Sequence, residues 1–391
     1  MAEWITTNLE ECTDVLGDGL HGTPKYTESG EYAFVNGNNL VDGEILIKKE
    51  TKRVDYSQYE KYKKPLTDRT ILVSINGTLG NVGIYESEKI ILGKSACFFN
   101  VKESVDKDFI YYIVSSPAFK QYLESNATGT TIKNISLKQM RKYTFSLPQI
   151  SEQKRISSVL RRIDEKIKNN RAINKNLEQQ AKAIFSNEFL TLETLPDGWK
   201  QASLIDIADY LNGLAMQKHR PTADETGIPV LKIKELRQGC CDDNSELCSP
   251  SIKSEYIIHD GDVIFSWSGS LLVDFWCGGI CGLNQHLFKV TSNKYDKWFY
   301  YAWTKHHLDR FIAVAADKAT TMGHIKRDEL SKAEVLIPSE PDYKRIGALL
   351  QPIYDLIIAN RIENKKLAET RDTLLPKLMS GEIDISEVDY E

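Results

Sequence analysis

The chain has 391 residues, room for two or three domains, and its 41% hydrophobic and 27% charged content is that of a globular protein rather than a disordered one. A formal net charge of −5 excludes a binder that relies on an overall basic surface, so any nucleic-acid role must rest on local clusters. No stretch approaches the roughly 18 consecutive apolar residues of a membrane span, and the opening MAEWITTNLEE lacks the regions of a secretory signal, so a cytoplasmic protein without a membrane partner is expected.

In chain order, Gly17-Asp18-Gly19-Leu20-His21-Gly22 matches G-x-G-x-x-G, but the turn-like TPKYTESG follows where a nucleotide site needs a helix. VNGNNL offers Asn36, Asn38 and Asn39, amides of the type that read adenine. Lys48 to Lys64 carries seven basic residues, Lys61 and Lys63 among them, interleaved with Tyr56, Tyr59 and Tyr62. It reads either as a phosphate-attracting surface or as a solvated loop whose tyrosines fold back on their own domain. TILVSI is a short β-rich run ending in the polar turn Ser74–Thr78, with Asn76 at its centre. Gly93-Lys94-Ser95 ends like a P-loop, yet Glu88 stands at its first glycine position. DKDFIYYIVSSPAFKQYLESN has helical spacing with its aromatics on one face, read as core, and TGTTIK follows with Thr130, Thr131 and Lys133.

Beyond a long helix, TLPDGWK marks a domain boundary. MQKHR (Lys218, His219, Arg220) and LKIKELRQ (Lys232, Lys234) are expected to take the part that Lys48 to Lys64 takes earlier. Seven cysteines, with no Cys-x-x-Cys pair and no standard zinc spacing, predict reduced thiols and no metal site. DVIFSW leads to a second polar turn, Ser266, Ser268 and Ser270. Gln285 and, in KATTMGHIK, Thr320 and Thr321 complete the candidate contacts, with Lys25 in the first half.

The chain repeats itself. LPQISEQKRISSVLRRIDEKIKNNRAINKNLE from Leu147 aligns without a gap with IPSEPDYKRIGALLQPIYDLIIANRIENKKLA from Ile337, at an offset of 190. Weaker matches upstream join ILVSINGT to VIFSWSGS, DFIYYIV to KWFYYAW, and Trp4 to Trp199. In the first helix, expected over Glu152 to Phe189 and about 57 Å long, the inward positions are Ile156, Leu160, Ile163, Ile167, Asn170, Asn174, Leu177, Ala181 and Ile184. In the second they are Ile346, Leu350, Ile353, Ile357, Asn360, Asn364, Leu367, Arg371 and Leu374. Alternating steps of four and three define a coiled-coil seam. Both asparagine pairs fall mid-seam, so antiparallel packing lets the four amides bond one another and fixes the register; the competing reading is a wet seam that tolerates them. Pro352 predicts a kink or a fresh helix start near Gln351. The expected fold is α+β: two globular α/β domains set apart by two long antiparallel coiled-coil helices, with a pseudo-two-fold internal repeat.

LPQISEQKRI, AIFSNEF, LPDGW and LLPKLMSGEI, with the weaker GDGLHGTPKY, SINGT and SWSGS, make the sequence resemble the DNA specificity subunits of type I restriction–modification systems over nearly its whole length. IPSEPDYKRI departs from that pattern by lacking Glu-Gln before Lys-Arg, which predicts an irregular start to the second helix. The resemblance implies target-recognition domains at 1–147 and 195–337, a spacer helix at 148–194, and a second spacer helix with the C-terminal tail at 338–391. It also implies double-stranded DNA as ligand, two methylation subunits as partners, and restriction subunits in systems that cleave. The chain itself would hold no cofactor and catalyse nothing; S-adenosylmethionine, ATP and Mg2+ would belong to the partners. A non-catalytic helical scaffold without DNA binding of its own is the alternative.

Overall fold

The computed structural model describes residues 4–129, 131–317 and 327–385. Two compact units result, one from Met1–Glu165 with Glu369–Glu391 and one from Lys166–Ala368, so the unit boundary cuts each long helix.

In the first unit a four-stranded antiparallel sheet runs in the order Thr13–Asp18, Ala96–Val101, Thr70–Ser74, Val82–Ile84. Its inner strands are built from residues suited to a doubly covered sheet, and all of ACFFNV and TILVS are buried. A second sheet places Tyr32–Val35 between Arg53–Val54 and the parallel Ile90–Leu92. Ile5–Asn8 pairs with Thr144–Leu147, tying the start of the chain to the strand that feeds the first long helix. Asp106 and Ser116 cap the helices Lys107–Ser115 and Pro117–Asn126 by accepting the N–H groups of Phe109 and Phe119. Phe109, Tyr112 and Phe119 are buried, as the core reading required.

The second unit repeats this plan. Its four-stranded sheet runs Asp209–Asn212, Leu287–Thr291, Val263–Ser266, Leu272–Phe275, and the parallel pair recurs between Ile228–Leu231 and Cys281–Leu283. Lys200–Ser203 pairs with Glu334–Ile337. Trp4 and Trp199 each precede the first strand of their unit. The repeat explains the glycine-rich stretch. A Cβ on Gly19 would lie 2.3 Å from the carbonyl oxygens of Leu92 and Gly93, and one on Gly213 would lie 2.3 Å from that of Asn284. Both glycines let one strand end cross another, which accounts for GDG by close backbone approach.

The first long helix spans Ile150–Phe185 and ends in a π-helical turn, Ser186–Leu190; the second spans Glu340–Met379. Two expectations are corrected here. The fresh helix start expected near Gln351 does not occur: the helix runs on through Pro352, which lies with Ala348, the residue whose carbonyl it cannot bond, on an exposed face, while Leu350 and Tyr354 stay buried. Nor does the missing Glu-Gln make the second start irregular. Gln153, buried, accepts the N–H of Asp106 and donates to the Pro148 carbonyl. At the equivalent position, the Tyr343 hydroxyl oxygen accepts the N–H of Asp296 at 2.7 Å, and Ser339 caps the helix through the N–H of Asp342.

Each unit has its own core. Leu375, Leu378 and Ile385 from LLPKLMSGEI and its sequel join Ile156, Leu160, Phe99 and Phe109 in the first. Ala181, Phe185 and Phe189 from AIFSNEF join Trp199, Trp298, Phe299 and Ile346 in the second. There the buried His307 donates Nε2–H to the Glu334 carbonyl at 2.8 Å and stacks on Trp303. Among the described residues no helix is long and apolar enough to cross a membrane.

Two measurements check this account. Gly19→Ala and Gly213→Ala should each lower the unfolding free energy by about 1–3 kcal/mol, read as a lowered denaturant midpoint, because backbone must move; an unchanged midpoint contradicts the crossing. Burial pushes the His307 imidazole down to about 4. The unfolded chain therefore binds a proton that the fold refuses, and stability should fall as pH drops from about 6.5 to about 4. His307→Gln should flatten that slope.

Candidate nucleic-acid interface

In the first unit three loops converge on the end of strand Thr70–Ser74. Ser74 is fully buried, and its hydroxyl oxygen accepts the Asn81 N–H at 2.8 Å. The Asn81 amide donates to the Gly37 carbonyl, the Gly37 N–H donates to Ser95 Oγ, and Ser95 Oγ donates to Asn36 Oδ1. Asn39, also buried, accepts the Asn36 N–H and donates to the Leu46 carbonyl. Ser74 and Asn39 are thus supports rather than surface groups, a correction to the reading of both as base contacts, and Asn36 is half-buried in the same network. Their hydroxyl and amide groups satisfy buried backbone at a loop junction. Asn38 alone of the three asparagines is exposed.

A second junction joins the turn after Ser74 to the loop after Thr128. The Gly77 N–H bonds the Lys133 carbonyl, Ile135 N–H bonds the Ile75 carbonyl, and Asn76 Nδ2 donates to Asn134 Oδ1 at 3.3 Å. Asn76 is half-buried, while Thr78, Thr131 and Lys133 stand exposed around this tip. Thr130, Thr320 and Thr321 lie outside the described residues.

Lys25, Lys61 and Lys63 are exposed on neighbouring segments: the Lys25 N–H bonds Gln58, on the helix Tyr56–Tyr62 that carries Lys61 and is followed by Lys63 at its C-cap. Tyr59 stacks on Tyr32 with ring centroids 4.1 Å apart, whereas Tyr56 is 60% exposed. The basic stretch therefore has one side packed at home and one side facing solvent. Lys63 pairs with Glu60 at 2.9 Å, a weak exposed contact that a phosphate can replace.

The second unit fills the same frame differently. By strand register Leu231 occupies the place of Val35, so Lys232 and Lys234 stand where Asn36 and Asn38 do, and Glu235 repeats Asn39 by accepting the Lys232 N–H. His219 follows the crossing Gly213 as Lys25 follows Gly19. LKIKELRQ and MQKHR are therefore counterparts of VNGNNL and the Gly22–Lys25 turn, which corrects their pairing with Lys48 to Lys64. Arg220 and Lys232 both pair with Glu246, and Lys234 pairs with Asp242 at 3.0 Å. Lys218 is exposed and His219 half-buried. Ser266 and Ser268 are buried: Ser266 Oγ donates to the Ser270 carbonyl, and Ser268 Oγ meets His286 Nδ1 at 3.2 Å. As with Ser74, they hold the turn; Ser270 and Gln285 are half-buried beside them.

The helix seam within the second unit brings the four asparagines together. Asn170 Nδ2 donates to Asn364 Oδ1 at 2.9 Å, and Asn360 Nδ2 donates to Asn174 Oδ1 at 2.9 Å. Asn174 Nδ2 caps this by donating to the Ile357 carbonyl. Falling numbers on one helix against rising numbers on the other make the pair antiparallel. Asn170 is 1% exposed, Asn174 6% and Asn360 9%, so these three are shielded from solvent, while Asn364 is half-buried. Asn170 also donates to Glu363, which it and then Lys166 hold below the usual carboxylate range.

Two arrangements escaped sequence reasoning. Arg361 reaches from the second helix to Asp274 at 2.7 Å and to Glu178. Arg371, an intruder at a seam position, pairs in the first unit with Asp164, which also accepts the Tyr112 hydroxyl. A charged residue inside an apolar heptad was the available signal for the latter. All seven cysteines are free thiols.

Comparisons with known proteins bear on this frame. A family model described as the type I restriction modification DNA specificity domain matches residues 1–179 and 196–369. The chain belongs to that family: it is a DNA specificity subunit of a type I restriction–modification system, a non-catalytic member whose partners carry the enzymatic activities. It is 24% identical over 419 residues to the type I restriction enzyme MjaIX specificity subunit of Methanocaldococcus jannaschii, covering 99% of this chain and 95% of that one. It is 24% identical over 218 residues to the EcoBI specificity subunit of Escherichia coli, covering 54% and 44%. The crystal structure of a type I restriction–modification S subunit from M. genitalium shares the fold with a TM-score of 0.58 at 18% identity, over 98% of this chain and 97% of that one.

The seam can be checked by substitution. Asn174→Ala strands the Asn360 amide in a buried seam and should cost about 1–3 kcal/mol in denaturant unfolding. Replacing all four asparagines by Leu should preserve or raise stability, as in a purely apolar seam. A neutral Asn174→Ala contradicts the bonding.

Proposed function

We propose that each unit's recognition fold, at 1–147 and 195–337, reads one half of a bipartite asymmetric DNA site, while the helices at 148–194 and 338–391 fix the unread spacer. Two methylation subunits would dock on the chain and supply S-adenosylmethionine-dependent methylation of adenine N6. Where restriction subunits join, they would bring ATP- and Mg2+-dependent cleavage. The observation that carries this reading is one strand frame used twice with different loop chemistry. Exposed Asn38 in one copy is exposed Lys234 in the other, so two copies of one scaffold offer different donors to DNA. Exposed Lys25, Lys61 and Lys63 in the first unit, and Lys218 in the second, suit sequence-blind phosphate attraction. The acidic total suits a chain that shares its DNA affinity with partners.

Co-expression with a methylation subunit followed by methylome sequencing should show N6-methyladenine at a split motif of constant spacing. Methylation that persists unchanged without this chain sinks the reading. Four residues inserted into the first long helix add about 6 Å of rise, equivalent to about one to two base pairs. The motif should gain spacer length with both halves unaltered; changed halves at constant spacing contradict the division of labour.

A further inference from the structure

Ile132 is 61% exposed, more than any other large apolar side chain among the described residues. Its surroundings hold it there. Thr128 and Asn134 exchange backbone hydrogen bonds of 2.9 and 2.8 Å, and Gly77 and Ile135 add the two bonds of 2.9 Å that join this loop to the turn after Ser74. A Cβ on Gly129 would lie 2.4 Å from the Ile132 carbonyl oxygen, so the turn closes tightly around a glycine at φ +93°. These bonds fix the base of the loop on both sides of Ile132.

An exposed isoleucine on a loop with a fixed base gains by being covered, and its neighbours indicate by what. Asn76, Thr78 and Thr131 offer amide and hydroxyl groups of the kind that bond base edges, and exposed Lys133 offers a cation for phosphate. In the DNA major groove, one base edge combines an apolar group with an adjacent acceptor: thymine, with its C5-methyl beside O4. We propose that Ile132 reads the C5-methyl of a thymine in the half-site bound by the first unit. This rests on the reading of that unit as a half-site reader and assigns a specificity-determining contact within it.

The test uses the complete chain assembled with its methylation subunits and a duplex carrying its methylome-defined motif. Each thymine, on either strand, is replaced singly by deoxyuridine, which removes the methyl and keeps base pairing. For the native complex one replacement in one half-site should weaken binding about four-fold, the effect of one buried methyl-sized group. Ile132→Ala should weaken binding to the all-thymine duplex to a similar degree and abolish that deoxyuridine effect. Ile132→Val should retain it. Because Ile132 is exposed, these variants fold as the native chain does.

Insensitivity of the native complex to every deoxyuridine overturns the assignment, as does undiminished sensitivity in Ile132→Ala. So does an equal loss on cognate and scrambled duplexes, or a loss with no deoxyuridine effect, the signature of a wedge between base steps. A native complex that does not prefer cognate over scrambled duplex overturns instead the half-site reading itself.

Discussion

Four amides in a helix seam set the terms for the helix pair. A buried amide without a partner costs about 1–3 kcal/mol, so Asn170, Asn174, Asn360 and Asn364 tolerate few registers of one helix against the other. In the observed one, Asn170 meets Asn364 and Asn174 meets Asn360. A slip of one turn would set amides against Ile167 or Ile357, both buried in the same seam. The apolar residues give the pair its cohesion and the asparagines its alignment. A purely apolar seam would hold equally well in several positions. A subunit that fixes a spacing has need of one position only.

The chain uses one fold twice. What the two units share is backbone geometry: the strand order of the four-stranded sheet, the parallel pair, and the crossing glycines Gly19 and Gly213. Side chains at matching places often differ while the bond they satisfy persists. Gln153 and Tyr343 both accept the N–H of the aspartate at the N-cap position of the neighbouring helix, Asp106 and Asp296. Asn39 and Glu235 both close the loop that presents Asn38 or Lys234. The bond recurs while the residue that makes it changes, and the exposed neighbours differ between the units.

Much of the fold was legible in the sequence because it depends on periodicity. The seam was readable from steps of four and three, and the repeat from a gapless alignment. Less of the candidate site was legible, for a physical reason: base reading and loop support use the same residue types. Ser74, Ser266 and Ser268 looked like surface hydroxyls from their turn-rich context, yet each is buried and bonded inside its turn. Asn36 and Asn39 look identical to Asn38 in VNGNNL, and only their burial and hydrogen bonds in the folded loop show which amide faces outward. Pro352 misled because a proline's cost depends on whether the carbonyl it leaves unbonded is wet. Arg361 with Asp274 joins residues far apart in sequence and left no local pattern to read.

The central claim is that each recognition fold reads its own half-site independently, in a frame that the helices hold. The most direct measurement is the methylome of cells carrying a chain in which residues 195–337 are replaced by a second copy of residues 1–147. The account predicts a split motif whose two halves are both the first half-site, at the original spacing. A second half that stays as it was would contradict it.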